Sequence, residues 1–210
     1  MKGILGLLRH KSKPAEGQDT LDSRLSTTGV PDGDTESGDT LLVPWRARAV
    51  EVGARKLDAS RGIELLQALW SKDRHMRQLD SQAIAQLAPF FEFASVSANR
   101  DIIRQDEYGD FMIVLLSGDI AIDRMQPWGG RLRLAEAAPG EILGEMSLLD
   151  SGIRFSVCTS VSDCEIAVLD AESLQEMLSA DPRAAANLIA LLARKLSLRL
   201  RIVSARLSEK

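Results

Sequence analysis

The stretch GEILGEMSLLDSGIRFSV, residues 140–157, carries more chemistry than any other part of this 210-residue chain. Gly144 lets the backbone turn and come close to a ligand. Glu145 to Leu149 read as a short helix. Its first N–H groups have no acceptor within the helix, an arrangement that binds anions. Arg154 follows, with a fork that can clasp a phosphate. Glu145 can accept a hydrogen bond from a hydroxyl. A phosphate beside a hydroxyl is the chemistry of a ribose cyclic phosphate. Spacing alone leaves a plainer alternative open, a loop in which Arg154 only pairs with Glu145 or Glu141.

On both sides of this stretch the chain reads as short strands broken by turns. Ile102 and Ile103 lie in one strand, and Gln105 to Asp110 make a polar turn containing Gly109. Phe111 to Leu116 form a buried strand that ends at Ser117-Gly118. Ile120 and Ile122 alternate with polar neighbours, Pro127-Trp128-Gly129-Gly130 is a hairpin tip, and Leu132 and Leu134 alternate with arginines on the return. Strands at this spacing, from residue 90 to 169, indicate an all-β barrel or roll.

Helices flank the strands. Ile63, Leu66, Leu69 and Trp70 follow helical spacing, as do Leu79, Ala83, Ile84 and Leu87, with Asp80 or Ser81 as a cap. Ala171 to Leu178 is another helix. Asp181-Pro182 opens a last one with proline at its first position. Leu188, Leu192, Leu196, Leu200, Val203 and Leu207 mark a single apolar stripe along it.

The first 59 residues have a different texture. Residues 14–40 are rich in Gly, Ser, Thr, Pro and Asp and cannot bury enough surface to offset their ordering entropy, so disorder is expected. In residues 41–59, Trp45 and the aliphatics can dock on a surface, while Pro44 and Gly53 discourage a long element. The expected division is an arm and linker over 1–59 and a domain over 60–210.

The totals bound the function. Net charge is −4, so no global positive field attracts nucleic acid. Local runs are basic: Lys2, Arg9, Lys11 and Lys13 in residues 1–13, and seven Lys or Arg from Pro182 onward against Glu209 alone. Such runs usually decorate a solvated face. Residues 1–13 can also place Ile4, Leu5, Leu7 and Leu8 on one helical face, a pattern suited to weak contact with an anionic membrane surface. Cys158 and Cys164 are the only cysteines and His10 and His75 the only histidines, too few and too scattered for a zinc site. With no secretory signal and no membrane-length run, a cytoplasmic protein with reduced thiols is expected.

The segment Gly144-Glu145-Met146-Ser147 with Arg154 nine positions after Glu145 resembles the phosphate-binding cassette of the cyclic-nucleotide-binding domain family, which includes bacterial catabolite activators. Tyr108 to Gly118, Asp163 to Asp170 and the terminal helix extend the resemblance over roughly residues 79–208. It implies a mainly β fold with flanking helices, a β-roll of the jelly-roll or double-stranded β-helix kind with a long C-terminal helix. It also implies that Glu145 holds the ribose 2′-hydroxyl and Arg154 the cyclic phosphate. The backbone around Gly144, Met146 and Ser156 then adds donors, and Ile122 and Leu134 line the base pocket, although plain core explains those two aliphatics equally well.

Three departures stand out. Phe155 follows the arginine where the family has a small residue, and it could crowd the phosphate. Lys195, Arg199 and Leu200 stand where activators present polar Thr and Ser to the base. The chain stops at Lys210, where the activators continue into a helix-turn-helix, so DNA binding is not expected. The expected function is a regulatory module that binds a cyclic nucleotide, cyclic AMP first, and signals to a protein partner, as a homodimer through its last helix. The alternative is a degenerate roll that binds no nucleotide and acts as a dimeric scaffold. No catalytic set, metal cluster or cofactor motif is visible, so an enzyme is not expected.

Overall fold

The computed structural model describes residues 42–72 and 81–208. The expectations for residues 1–13 and 14–40, and for Leu79 and Asp80, fall outside these residues, as does the side chain of Leu207.

Nine strands form two sheets. They are β1 (Arg55–Lys56), β2 (Glu92–Val96), β3 (Asp101–Ile103), β4 (Phe111–Ser117), β5 (Ile120–Met125), β6 (Arg131–Ala137), β7 (Ile142–Leu143), β8 (Val157–Ser160) and β9 (Cys164–Asp170). One sheet has the order β1-β2-β9-β4-β7, the other β3-β8-β5-β6, and every pairing between them is antiparallel. The helices are α1 (Trp45–Val52), α2 (Ala59–Trp70), α3 (Ser81–Leu87), α4 (Glu145–Asp150), α5 (Ala171–Ala180) and α6 (Pro182–Ser208). This is the β-roll with a long terminal helix that the sequence indicates.

Strand β4 shows why the apolar run Phe111 to Leu116 is continuous rather than alternating. Side chains of a strand point alternately to its two faces. Phe111, Ile113 and Leu115 enter the core between the sheets, with Ile102, Ile120, Leu143, Cys158 and Ile166. Met112, Val114 and Leu116 enter a second core, under the helices. Ile166 and Val168 against Ala167 and Leu169 repeat the division on β9. A strand covered on both faces must be apolar on both.

The second core is built from Leu66 and Trp70 of α2, Ile84 and Leu87 of α3, Leu174 and Met177 of α5, and the first half of α6. Leu188 and Leu192 of the apolar stripe are wholly buried there. Each such leucine contributes about 1.5–3 kcal/mol by leaving water. Further along α6, Leu200 and Val203 of the same stripe are exposed. Side-chain caps fix the helix starts: Asp58 accepts from Arg61 N–H at 3.0 Å, Asp170 from Ser173 at 2.8 Å and Asp181 from Ala184 at 3.0 Å.

Helix α1 is the element that the sequence left ambiguous. Pro44 stands at its N-cap and Gly53, left-handed at φ +67°, ends it. The two residues that discourage a long element therefore bracket an eight-residue one. Trp45 and Val52 pack into the core between the sheets, not under the other helices. Contact with the roll is thus already made within residues 42–52, inside the segment read from the sequence as arm and linker.

Candidate ligand pocket

A cavity of about 290 Å³ opens beside α4, near the lower end of the usual range for small-molecule sites. Residues 144–147, Arg154, Phe155 and Ser156 line it, with Ile122 and Leu134 from β5 and β6. The far wall is Arg199 and Val203 of α6. The structure therefore brings together every ligand residue expected from the sequence except Lys195. That side chain lines a separate groove with Leu69 and Glu141, one helical turn before Arg199. Ile103, Leu143, Cys158 and Val203 also form the wall, and the sequence reading named none of the four as a ligand residue.

Gly144 takes φ +80°, which turns β7 into α4. A side chain here would meet Arg154 Nη1 at 2.7 Å, so glycine is required by both backbone and contact. The first-turn amides of α4, at Glu145, Met146 and Ser147, have no acceptor inside the helix.

Arg154 is buried, at 3% exposure. Its Nη1 donates to the Gly144 carbonyl at 2.9 Å and its Nη2 to the Phe111 carbonyl at 2.7 Å. The guanidinium lies 4.5 Å from the centre of the Phe111 ring. It pairs with neither Glu145 nor Glu141, and no other described carboxylate forms an ion pair with it. Burial lowers its pKa to about 10, outweighing the nearby acids Asp110 and Glu107. Hydrogen bonds to a charged group contribute about 1.5–3 kcal/mol each, and burying an ion costs several kcal/mol. Two carbonyls therefore do not fully compensate this cation, and an incoming anion would.

Glu145 is also buried, and its carboxylate accepts from Arg199 of α6. Arg199 Nη2 also donates to the Ile142 carbonyl at 2.9 Å. A hydroxyl that seeks Glu145 must share it with Arg199 or displace it. Sequence reading placed Arg199 against the ligand but found no partner for it.

Phe155 does not plug the cavity. Its ring is 55% exposed, at the rim, with the Arg124 guanidinium 4.1 Å from its centre. Arg124 also donates to the Phe155 carbonyl at 2.6 Å. Cys158, in the wall, is free and buried, and burial pushes its thiol up to about 12. Cys164 is likewise free and buried, so the two do not form a disulfide.

An antiparallel roll, a glycine turn into a short helix, and a buried arginine and a buried glutamate that line one cavity make up the site. Residues 93–181 match the family model for the cyclic nucleotide-binding domain. The chain is 35% identical over 107 residues to the cyclic AMP receptor protein of Thermus thermophilus, a match spanning 51% of this chain and 50% of that one. It is 26% identical over 118 residues to a CRP-like cAMP-activated global transcriptional regulator of Mycobacterium tuberculosis, spanning 56% and 53%. The chain thus spans about half the length of the curated relatives it matches. Among solved structures, a cyclic nucleotide-binding domain from Methylobacillus flagellatus superposes with TM-score 0.67 at 21% identity, covering 75% of this chain and 89% of that one, a likeness of fold. The catabolite activator protein of Thermus thermophilus superposes with TM-score 0.53 at 30% identity, covering 63% of each.

Proposed function

We propose that this chain is a receptor for a cyclic nucleoside monophosphate, cyclic AMP foremost, which passes its occupancy to a protein partner and is not itself a catalyst. The observation that carries this reading is Arg154: a buried guanidinium, held by two carbonyls beside a glycine turn, with no described carboxylate paired to it. The cyclic phosphate takes that cation and the free amides of α4, the ribose hydroxyl goes to Glu145, and the base lies against Ile122 and Leu134. The names of the relatives, a cyclic AMP receptor and a cAMP-activated regulator, support the choice of nucleotide.

The receptor acts as a homodimer through the outer half of α6. Leu196, Leu200 and Val203 line an apolar trough with Met146 and Phe155 at the cavity mouth. A second copy of the helix covers it about a two-fold axis.

Calorimetry on nucleotide-free protein tests the reading. Cyclic AMP should give saturable heat, and Arg154→Lys should weaken binding about tenfold or more, as expected when a forked phosphate contact becomes a single one. Absence of heat with cyclic AMP, cyclic GMP and a cyclic dinucleotide would end it. One observation favours a second reading, a closed roll that serves as a scaffold: Arg199 already engages Glu145. The same titration separates the two.

A further inference from the structure

Behind the anion site, on the side away from the cavity, three stretches of chain are stitched together. The Arg154 N–H donates to the Glu107 carbonyl at 2.8 Å, and the Asp106 N–H to the Arg154 carbonyl at 3.0 Å. Tyr108 bridges Ile153 on one side and Leu42 on the other, and Val43 N–H donates to the Tyr108 carbonyl at 2.9 Å. The segment that leads into α1 is thus one strand away from Arg154.

Side chains repeat the connection. Arg48 of α1 is buried and pairs with Glu107, and donates to Glu51 at 2.6 Å. Arg104 joins the same two acids, pairing with Glu51 and lying 3.9 Å from Glu107. Trp45, the first residue of α1, meets Phe111 edge-on at 5.5 Å, and the Arg154 guanidinium lies over the same ring. Gly109 presses on that guanidinium directly, since a Cβ there would stand 2.5 Å from Nε and Nη2. Arg154 is therefore fixed by a loop, residues 106–109, that α1 holds through a buried charge. Trp45 Nε1 and Arg48 Nε are buried with no hydrogen-bond partner. Buried polar groups are ordinarily partnered, so these two mark α1 as more than an apolar filler.

We propose that α1 is part of the receptor machinery: Arg48 and Glu107 are positioning residues for the anion-binding Arg154, and the seating of α1 is coupled to occupancy of the cavity. This rests on the nucleotide reading above. Coupling between two events is reciprocal. If a seated α1 strengthens nucleotide binding, bound nucleotide must slow the opening of α1 by the same factor.

The test uses the full chain, with cyclic AMP as probe. Hydrogen exchange of residues 45–52 should slow about fivefold or more when the nucleotide is bound, the low end of ordinary coupling. Glu107→Gln, which removes the charge and keeps the shape, should weaken calorimetric binding and also abolish most of that slowing. Arg48→Met should do the same, with the milder Glu107 variant deciding if Arg48→Met fails to fold. Binding heat with α1 exchange unchanged overturns this inference alone. Binding by Glu107→Gln at the original affinity also overturns it. No heat from the unaltered chain removes the nucleotide reading, and this inference with it.

Discussion

Arg199 of α6 donates to the buried carboxylate of Glu145 across 54 residues of sequence. The two are unequal partners: the arginine side chain is 46% exposed and the glutamate 4%. Removing Arg199 therefore strands a buried acceptor, while removing Glu145 leaves a half-exposed Arg199 that still donates to the Ile142 carbonyl. Arg199→Met should cost about 1–3 kcal/mol of stability without ligand. Because the ribose hydroxyl then meets an unoccupied Glu145, the rise in melting temperature on adding cyclic AMP should be larger than in the parent chain. A thermal-shift titration reads both effects, and an equal or smaller rise would show that Arg199 does not compete.

Gly109 is not in the left-handed region, so alanine is compatible with its backbone. The obstacle is the Arg154 guanidinium at 2.5 Å. Gly109→Ala should push that group off the Phe111 and Gly144 carbonyls, losing contacts of about 1.5–3 kcal/mol each. Nucleotide affinity should fall about tenfold or more with the circular dichroism spectrum intact. Unchanged affinity would mean that the guanidinium has room to spare.

Alkaline pH should weaken binding. Arg154 loses its proton from the folded protein near pH 10, below its ordinary value of 12.5, because burial disfavours the cation. Below about pH 10 it is charged in both folded and unfolded chains, and nucleotide affinity should be flat through neutrality. Above it, the folded chain binds fewer protons than the unfolded one, so this group's contribution to stability rises with pH while the anion site loses its charge. Calorimetry in matched buffers between pH 7 and the midpoint checks the flat region. A decline well below about pH 9 would point to another titrating group.

Leu200 is 66% exposed at the centre of the apolar trough on α6. Light scattering at tens of micromolar should give a dimer mass. Leu200→Asp places a charge in the proposed seam and should shift the mass to that of a monomer without lowering the melting point much, since the residue touches little of its own roll. A monomer in both cases would remove the dimer.

Why some of this was legible and some not follows from how far apart the partners are. The roll shows in the sequence because β4 and β9 carry both of their buried faces as a local apolar run. Gly144, Glu145 and Arg154 are readable because they lie within one short stretch of sequence, and Arg154 meets Gly144 directly across ten residues. The Arg199–Glu145 pair spans helix and roll, and nothing local announces it. Lys195 lies four residues, about 6 Å of helix rise, before Arg199 and lines the neighbouring groove, whereas Arg199 lines both that groove and the cavity. Helix α1 was obscured by its own boundary signals. Pro44 and Gly53 act as start and stop, and the buried face of Trp45, Arg48 and Val52 is too short to show periodicity.

The thiols offer a practical opening. Both cysteines of the chain lie within the protein at 3% and 1% exposure, and burial pushes both toward the unreactive protonated form. A maleimide dye added to the native protein should therefore find almost nothing to label. Trp128, at the hairpin tip, is 82% exposed. Trp128→Cys would give one reactive handle without first stripping out the native cysteines, and a fluorophore there would report on the tip of the hairpin whose strands carry Ile122 and Leu134.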